Sequence, residues 1–409
     1  MPLWTKDFSI ITLGTVVSMF GNAVSGFAIG LLVLDYTSSV FLYALFMVCY
    51  SLPRIILPLL AGPYLDRFSR KRVIYTLDFF SCGLYILFFL FIYNDLFDYT
   101  LFLLLAMIVG AVDSVYSVAY ESLYPTLISK GNFSRAYSIA SLIYPLANTI
   151  MVPIAGVCYS TIGLAPLFLF NAVSFLIAAI FETQIKASEQ HAAKREGQTF
   201  RLSQFVSDFR DGLSYLKNEQ GLATITKYFF VTTLCSSIAG TLVLPYFKSA
   251  ATPLGIEHYT WLMSISTVGR LLGGLIHYKF RYPVQKKFAI ALTVYITLSF
   301  LDGGYLYLPY AFMLLFHFLS GLFAVTSYNI RISSTQSYLN DDMRGRFNGI
   351  FQMLNILGGI IGQLLAGVLG EVLPVRELIA GAMVVNLVGI FAIMVRGREG
   401  VKKIYNVEV

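Results

Sequence analysis

The chain has 409 residues, of which 57% are hydrophobic and 12% charged, and it carries a formal net charge of +7. A soluble domain is roughly 25% charged, so this composition cannot cover a surface that faces water. It excludes a soluble enzyme, a disordered chain and a nucleic-acid binder together, and points to a chain solvated by lipid.

A helix that crosses the hydrocarbon core needs roughly 20 apolar residues. Apolar runs bounded by charged or turn residues predict twelve spans, at 8–34, 40–62, 73–93, 99–125, 134–160, 164–184, 220–247, 256–279, 286–307, 310–336, 346–369 and 374–396. The first run follows Lys6, is too long for a signal-peptide core and precedes no small-residue cleavage site, so an uncleaved first helix is expected. Lysine and arginine set the orientation. With both termini on the cytoplasmic side, the inner loops receive Lys6, the cluster Arg67, Arg70, Lys71 and Arg72, then Lys130 and Arg135. They also take the basic residues between Lys186 and Lys217, those between Lys279 and Lys287, Arg344, Arg346 and the C-terminal Arg396 to Lys403. The outer loops receive only Lys248 and Arg376. The net charge is therefore read as positive-inside bias, and the expected location is the cell membrane, multi-pass, with the lipid bilayer as a partner and no nucleic acid.

Cys49, Cys82, Cys158 and Cys235 fall inside predicted spans without metal-ligand spacing and read as small buried hydrophobes. No metal and no cofactor are expected. The tripeptide Asn132-Phe133-Ser134 matches a glycosylation acceptor but falls on the cytoplasmic side.

The longest polar stretch, 185–219, separates an N-terminal bundle at 1–184 from a C-terminal bundle at 220–409. Its second part places Phe200, Leu202, Phe205, Val206, Phe209, Leu213 and Leu216 largely on one helical face. That pattern predicts an amphipathic helix on the cytoplasmic membrane surface, the alternative being a partner-binding helix. The fifth and eleventh spans align without gaps: Arg135 meets Arg346, Ile139 meets Ile350, Ile150 meets Ile361, and Gly156-Val157 meets Gly367-Val368. A repeat of six spans is a transporter architecture, with substrate held near the midplane. The predicted fold is thus all-α and integral to the membrane, with twelve transmembrane helices in two pseudo-symmetric six-helix bundles.

The loop after the second span reads Gly62-Pro63-Tyr64-Leu65-Asp66-Arg67-Phe68-Ser69-Arg70-Lys71-Arg72. It resembles the signature loop of the major facilitator superfamily, in which Gly, three residues and Asp-Arg precede a basic pair. The resemblance implies a cytoplasmic latch: Gly62 turns the loop, Asp66 meets the start of the eleventh helix near Arg346, and Arg67, Arg70 and Lys71 supply the basic side. Arg70 would pair with Glu121 on the fourth span. Physically, a carboxylate suits a helix N-terminus, where unpaired N–H groups carry partial positive charge; the alternative is a plain positive-inside anchor. The matching loop of the second half keeps Gly274 and Lys279 but has Tyr278 where the acid would stand. Pro153-Ile154-Ala155-Gly156 is similar to part of the antiporter motif of this superfamily, although Val152 and Val157 replace its glycines. Asp78, Asp211-Gly212, and Gln336 with Arg344-Gly345-Arg346 look like the macrolide and siderophore exporters.

An ionisable group at bilayer depth is a functional candidate. Asp113, Arg54 and Arg270 each lie about 14 residues in from the outer face, roughly 20 Å deep. Burial disfavours a charged carboxylate and a nearby guanidinium favours it, so relative movement of these groups would change proton occupancy at Asp113. A static pair that fixes helix packing is the alternative. Asn22, Tyr116, Tyr120, Tyr144, His317, Gln352 and Asn355 are candidates to line a cavity for a bulky lipophilic or cationic solute. His317 can equally be a packed histidine, and the amides can join helices. Gly-x-x-x-x-Gly-Lys-Ser/Thr is absent from the sequence, so an ion gradient is the expected energy source. The leading expectation is a monomeric secondary transporter exporting a small amphiphilic solute against protons. Proton-coupled uptake and a transport-inactive sensor or scaffold are the alternatives; an enzyme is not expected.

Overall fold

A computed structural model describes residues 3–55, 57, 69–129, 132–186, 210, 212–249, 254–279 and 282–407. Gly62, Asp66 and Arg67 of the signature loop lie outside these residues, as does most of the polar stretch at 185–219. Every regular element among the described residues is helical. The chain divides into two compact units, Met1–Phe200 and Arg201–Val409.

The first unit contains α1 (Lys6–Thr37), α2 (Val40–Ser51), α3 (Arg70–Tyr93), α4 (Tyr99–Leu123), α5 (Phe133–Ile162) and α6 (Ala165–Glu182). Polar side chains at chain turns start several of them: Thr5, Ser39, Ser69 and Asp98 accept hydrogen bonds from the backbone N–H three residues on, satisfying donors a helix cannot use itself. Gly163, at φ +82°, closes α5 before α6 starts, a conformation glycine adopts without steric cost.

The second unit contains α7 (Gln220–Lys248), α8 (Ile256–Lys279), α9 (Lys287–Gly304), α10 (Tyr310–Tyr338), α11 (Asp341–Gly370) and α12 (Val375–Gly389). A π-helical turn at Ile390–Val395 leads on to α13 (Arg398–Tyr405). α13 is a terminal amphipathic helix that sequence reading did not predict. Val401, Ile404 and Tyr405 are buried against Leu222, Tyr228 and Tyr295, and the Tyr405 and Tyr295 hydroxyls lie 3.0 Å apart. From the linker, Gly212 and Leu216 also face this unit: Gly212 abuts Ile350, and Leu216 joins the same core. Leu213 of the same segment is exposed, and the rest of the predicted amphipathic face, from Phe200 to Phe209, lies outside the described residues.

Ten described helices are long and apolar enough to cross a bilayer, namely α1, α3 to α7 and α9 to α12. α2 is short in its described part, and α8 carries Glu257, His258, Arg270 and His277, which lower its hydropathy.

The two units repeat one packing scheme. In the first, α6 packs on α1 and α3, α5 on α1, and α4 on α2 and α3; in the second, α12 packs on α7 and α9, α11 on α7, and α10 on α8 and α9. Lipid gives apolar helices no hydrophobic reason to associate, so close approach relies on small residues. Gly110 of α4 lets the α2 backbone at Tyr50 come into contact, and Gly321 of α10 does the same for Ser266 of α8. A methyl group at either glycine would collide with a backbone carbonyl, whereas one at Gly83 would meet nothing within 4 Å. Gly110→Ala and Gly321→Ala are therefore expected each to cost about 1–3 kcal/mol, with Gly83→Ala near neutral. Unfolding of the purified protein in detergent measures this, and equal effects at all three positions would contradict the packing described.

Candidate functional site

The α2–α4 contact built around Gly110 positions the main polar constellation of the first unit. Tyr50, one helical turn before Arg54, donates its phenolic hydrogen to Asp113 Oδ2 at 2.6 Å. The Arg54 guanidinium lies 5.8 Å from the centre of the Tyr50 ring and within electrostatic reach of Asp113. The acid thus has a neutral donor in contact and a cation beyond it, an arrangement that holds charge by orientation as well as by pairing. Tyr50 is absent from the sequence-based candidates; one tyrosine among 27 gives no signal, although its spacing of four from Arg54 puts the two on one helical face.

A cavity of about 480 Å³ within the first unit is lined by Arg54, Asp113, Tyr50 and Asp78. Its walls also include the predicted residues Asn22, Tyr116, Tyr120, Glu121 and Tyr144. Tyr116, Tyr120 and Tyr124 follow one face of α4 with ring centres 6.1 and 5.2 Å apart, forming an aromatic ladder. Tyr144 is an exposed ring on α5. Behind Asn22, the buried Asn171 amide donates to Ser25 Oγ at 2.7 Å and accepts from Ser174 at 2.9 Å, joining α1 to α6.

At the start of α3, Arg70 Nη1 donates to the carbonyl of Ser122 at 3.0 Å, one residue beyond the acid expected to meet it. Glu121 itself lines the cavity. Lys71 Nζ reaches the carbonyl of Ile185 at 3.3 Å, tying the start of α3 to the end of α6. Arg346 sits in the second turn of α11, its Nη1 3.9 Å from Met343 Sδ.

In the second unit the equivalent close contact again carries an arginine. Arg270 follows Ser266 by four residues, as Arg54 follows Tyr50, and each pair sits beside the glycine of the facing helix. The acid differs. Arg270 lies within electrostatic reach of Asp302 on α9 and of His317 on α10. Asp302 Oδ1 accepts from Ser320 Oγ at 2.6 Å, and His317 stands edge-on to Tyr305 with ring centres 4.5 Å apart. Asp302 was not among the sequence-based candidates because it lies near the C-terminal end of an apolar run. Asn355 accepts from Thr233 at 2.7 Å and joins α11 to α7, while Gln352 is exposed on the same helix. Arg331, also unpredicted, is enclosed by the rings of Phe351, Phe229 and Tyr328 at 4.7, 5.2 and 5.3 Å. Among the described residues no group of three or more His, Cys, Asp and Glu side chains is placed to hold a metal ion.

The model of the transmembrane secretion effector family, within the major facilitator superfamily, matches residues 1–403. An uncharacterized MFS-type transporter of Bacillus subtilis, YkuC, is 25% identical over 299 residues, covering 71% of this chain and 68% of the relative. The multidrug efflux pump Tap of Mycobacterium tuberculosis is 24% identical over 370 residues, covering 88% and 86%. Among solved structures, the nucleoside transporter NupG superposes with a TM-score of 0.71 at 14% identity, covering 95% of this chain and 98% of that one. A bacterial homologue of the iron transporter ferroportin, in its inward-facing state, gives 0.67 at 15% identity, covering 96% and 98%. At these identities the two structures share the fold, which is that of secondary transporters.

Tyr50→Phe deprives the Asp113 carboxyl of its contacting donor and is expected to cost about 1–3 kcal/mol. Combined with Asp113→Asn, the two costs should fall short of additivity by at least about 0.5 kcal/mol. Strict additivity in detergent unfolding would show that the two side chains do not act together.

Proposed function

From the premise that the chain belongs to the transmembrane secretion effector family of major facilitator transporters, we propose that it exports a small amphiphilic compound in exchange for protons by alternating access. The observation that carries this reading is the shared wall of one cavity: Asp113, Arg54 and the tyrosines of α4 all face the same space. A carboxyl group there can exchange a proton with water that fills the cavity, and aromatic faces can hold a lipophilic or cationic solute by stacking and cation–π attraction. Protonation of Asp113 would release its hold on Tyr50 and Arg54, and α2 would then be free to shift against α4. The resemblance over most of its length to a pump described as a multidrug efflux pump supports export of such solutes.

In this reading twelve spans form two six-helix bundles, both termini face the cytoplasm and the chain works as a monomer in the cell membrane. The latch implied by the resemblance of the signature loop, with Gly62, Asp66, Arg67 and Arg346, belongs to this reading. Arg70, Lys71 and Glu121 set the inner end of the first bundle. Arg270 and His317 belong to the second bundle's own polar cluster with Asp302.

Asp113→Asn tests the assignment. In proteoliposomes with an imposed pH gradient, the unmodified protein should move protons and a fluorescent lipophilic cation in opposite directions. The Asn variant should fold and bind the cation but lose gradient-driven flux by tenfold or more, about 1.4 kcal/mol or greater on the transport barrier. Proton-driven flux surviving in the variant would remove Asp113 from the coupling role; flux of both species in the same direction would make the protein an importer.

A further inference from the structure

Among the described residues of the first unit, two acids lie deeper than any other carboxyl group. Asp78 on α3 is 1% exposed and Glu182 at the end of α6 is 0% exposed. The two carboxyl groups interact electrostatically with each other, and the Tyr116 hydroxyl interacts with Glu182. Among the described residues no donor is hydrogen-bonded to any of the four carboxyl oxygens, and the buried Tyr116 hydroxyl has no hydrogen-bond partner. Space for the pair is built into α1: a methyl group at Gly14 would sit 3.1 Å from Glu182 Oε1.

The charged groups on the surrounding helices do not neutralise the pair. α2 presents Arg54, directed to Tyr50 and Asp113. α4 presents Asp113, itself an acid within electrostatic reach of Asp78, and the phenols of Tyr116 and Tyr120. On α3 the cations Arg70, Lys71 and Arg72 start the helix, roughly 9–12 Å along its axis from Asp78; Arg70 and Lys71 reach the carbonyls of Ser122 and Ile185, and Arg72 is exposed. α1 carries Lys6 and Asp7 at its inner end, where Asp7 accepts from the backbone of Lys186. α5 carries Arg135 and Tyr137, both exposed. Two interacting carboxylates, desolvated and with no cation bonded to them, repel each other and lose hydration that nothing replaces. One proton between them removes the repulsion and provides the missing donor, as in the carboxyl pairs of enzymes that share a proton. Among the described residues no third His, Cys, Asp or Glu joins the pair to hold a metal ion.

We propose that Asp78 and Glu182 form a proton-binding site, holding one shared proton between α3 and α6, separate from the Tyr50–Asp113 contact. The proton comes from water in the cavity, which Asp78 lines, and it adds to one carboxylate while remaining hydrogen-bonded to the other. The site joins two helices that pack along one another, so losing the proton would force them apart at their inner ends. The proposal rests on this pair alone and stands whether or not solute movement is driven by protons.

Infrared spectroscopy of the full-length protein in detergent tests it directly, because a protonated carboxyl group has its own C=O stretching band. The unmodified protein should show this band near neutral pH. Asp78→Asn and Glu182→Gln should each lower it by the equivalent of one carboxyl group, since the side-chain amide supplies the hydrogen that the shared proton supplied. Replacing potassium with sodium should leave the band unchanged. A band equally strong in both variants would place the proton elsewhere, and a band lost in sodium would make the pair a cation site; either overturns the proposal. If neither variant folds, the unmodified protein still decides, because absence of the band near neutral pH contradicts a shared proton.

Discussion

The hydrogen bond from Tyr50 to Asp113, with Arg54 behind it, is the contact on which the functional reading depends. A carboxylate in the interior of a bundle cannot lean on water, so its charge must be held by dipoles and cations of the protein. α2 supplies both, one helical turn apart. They reach the acid because Gly110 lets the backbones of α2 and α4 touch. A packing detail and a charge detail are therefore the same feature. Any movement of α2 against α4 alters what Asp113 experiences, and any change in its protonation alters what holds α2 in place.

The internal repeat sharpens this point by showing what the two units do not share. Each places an arginine four residues beyond a tight glycine contact, on α2 in the first and on α8 in the second. The first unit sets its acid on the facing helix, at Asp113. The second has Ala324 on the corresponding stretch of α10 and places its acid on α9, at Asp302, bonded to Ser320. A duplicated frame carrying unlike charges is suited to a machine whose halves must do different things. The first unit also holds the buried acids Asp78 and Glu182, so its interior is the more acidic in functional terms.

Much of the fold was legible because lipid imposes a simple rule: long apolar runs must become helices that satisfy their own backbone. The predicted runs coincide with α1 and α3 to α12, and the alignment of Arg135 with Arg346 anticipated the common packing of the two units. Asp113, Arg54 and Arg270 stood out because charge inside an apolar run is conspicuous. Tyr50 did not, since aromatic residues are everywhere in this sequence and only the fold selects one. Glu182 and Asp302 lie near the ends of their runs, where a carboxylate looks interfacial, and burial emerges only from neighbouring helices. α13 was missed because its apolar residues, Val401, Ile404 and Tyr405, sit among basic ones in a segment too polar to read as a span. The linker's apolar spacing suits lipid and an apolar protein face alike, and of that face Leu216 is buried while Leu213 is exposed.

Proton exchange linked to solute binding, as proposed for this chain, can be measured without transport. In lightly buffered detergent solution, adding tetraphenylphosphonium to the purified protein should release protons in step with binding, because the cation and the proton compete for the same acidic cavity. Binding of the cation with no change in bound protons would contradict the account.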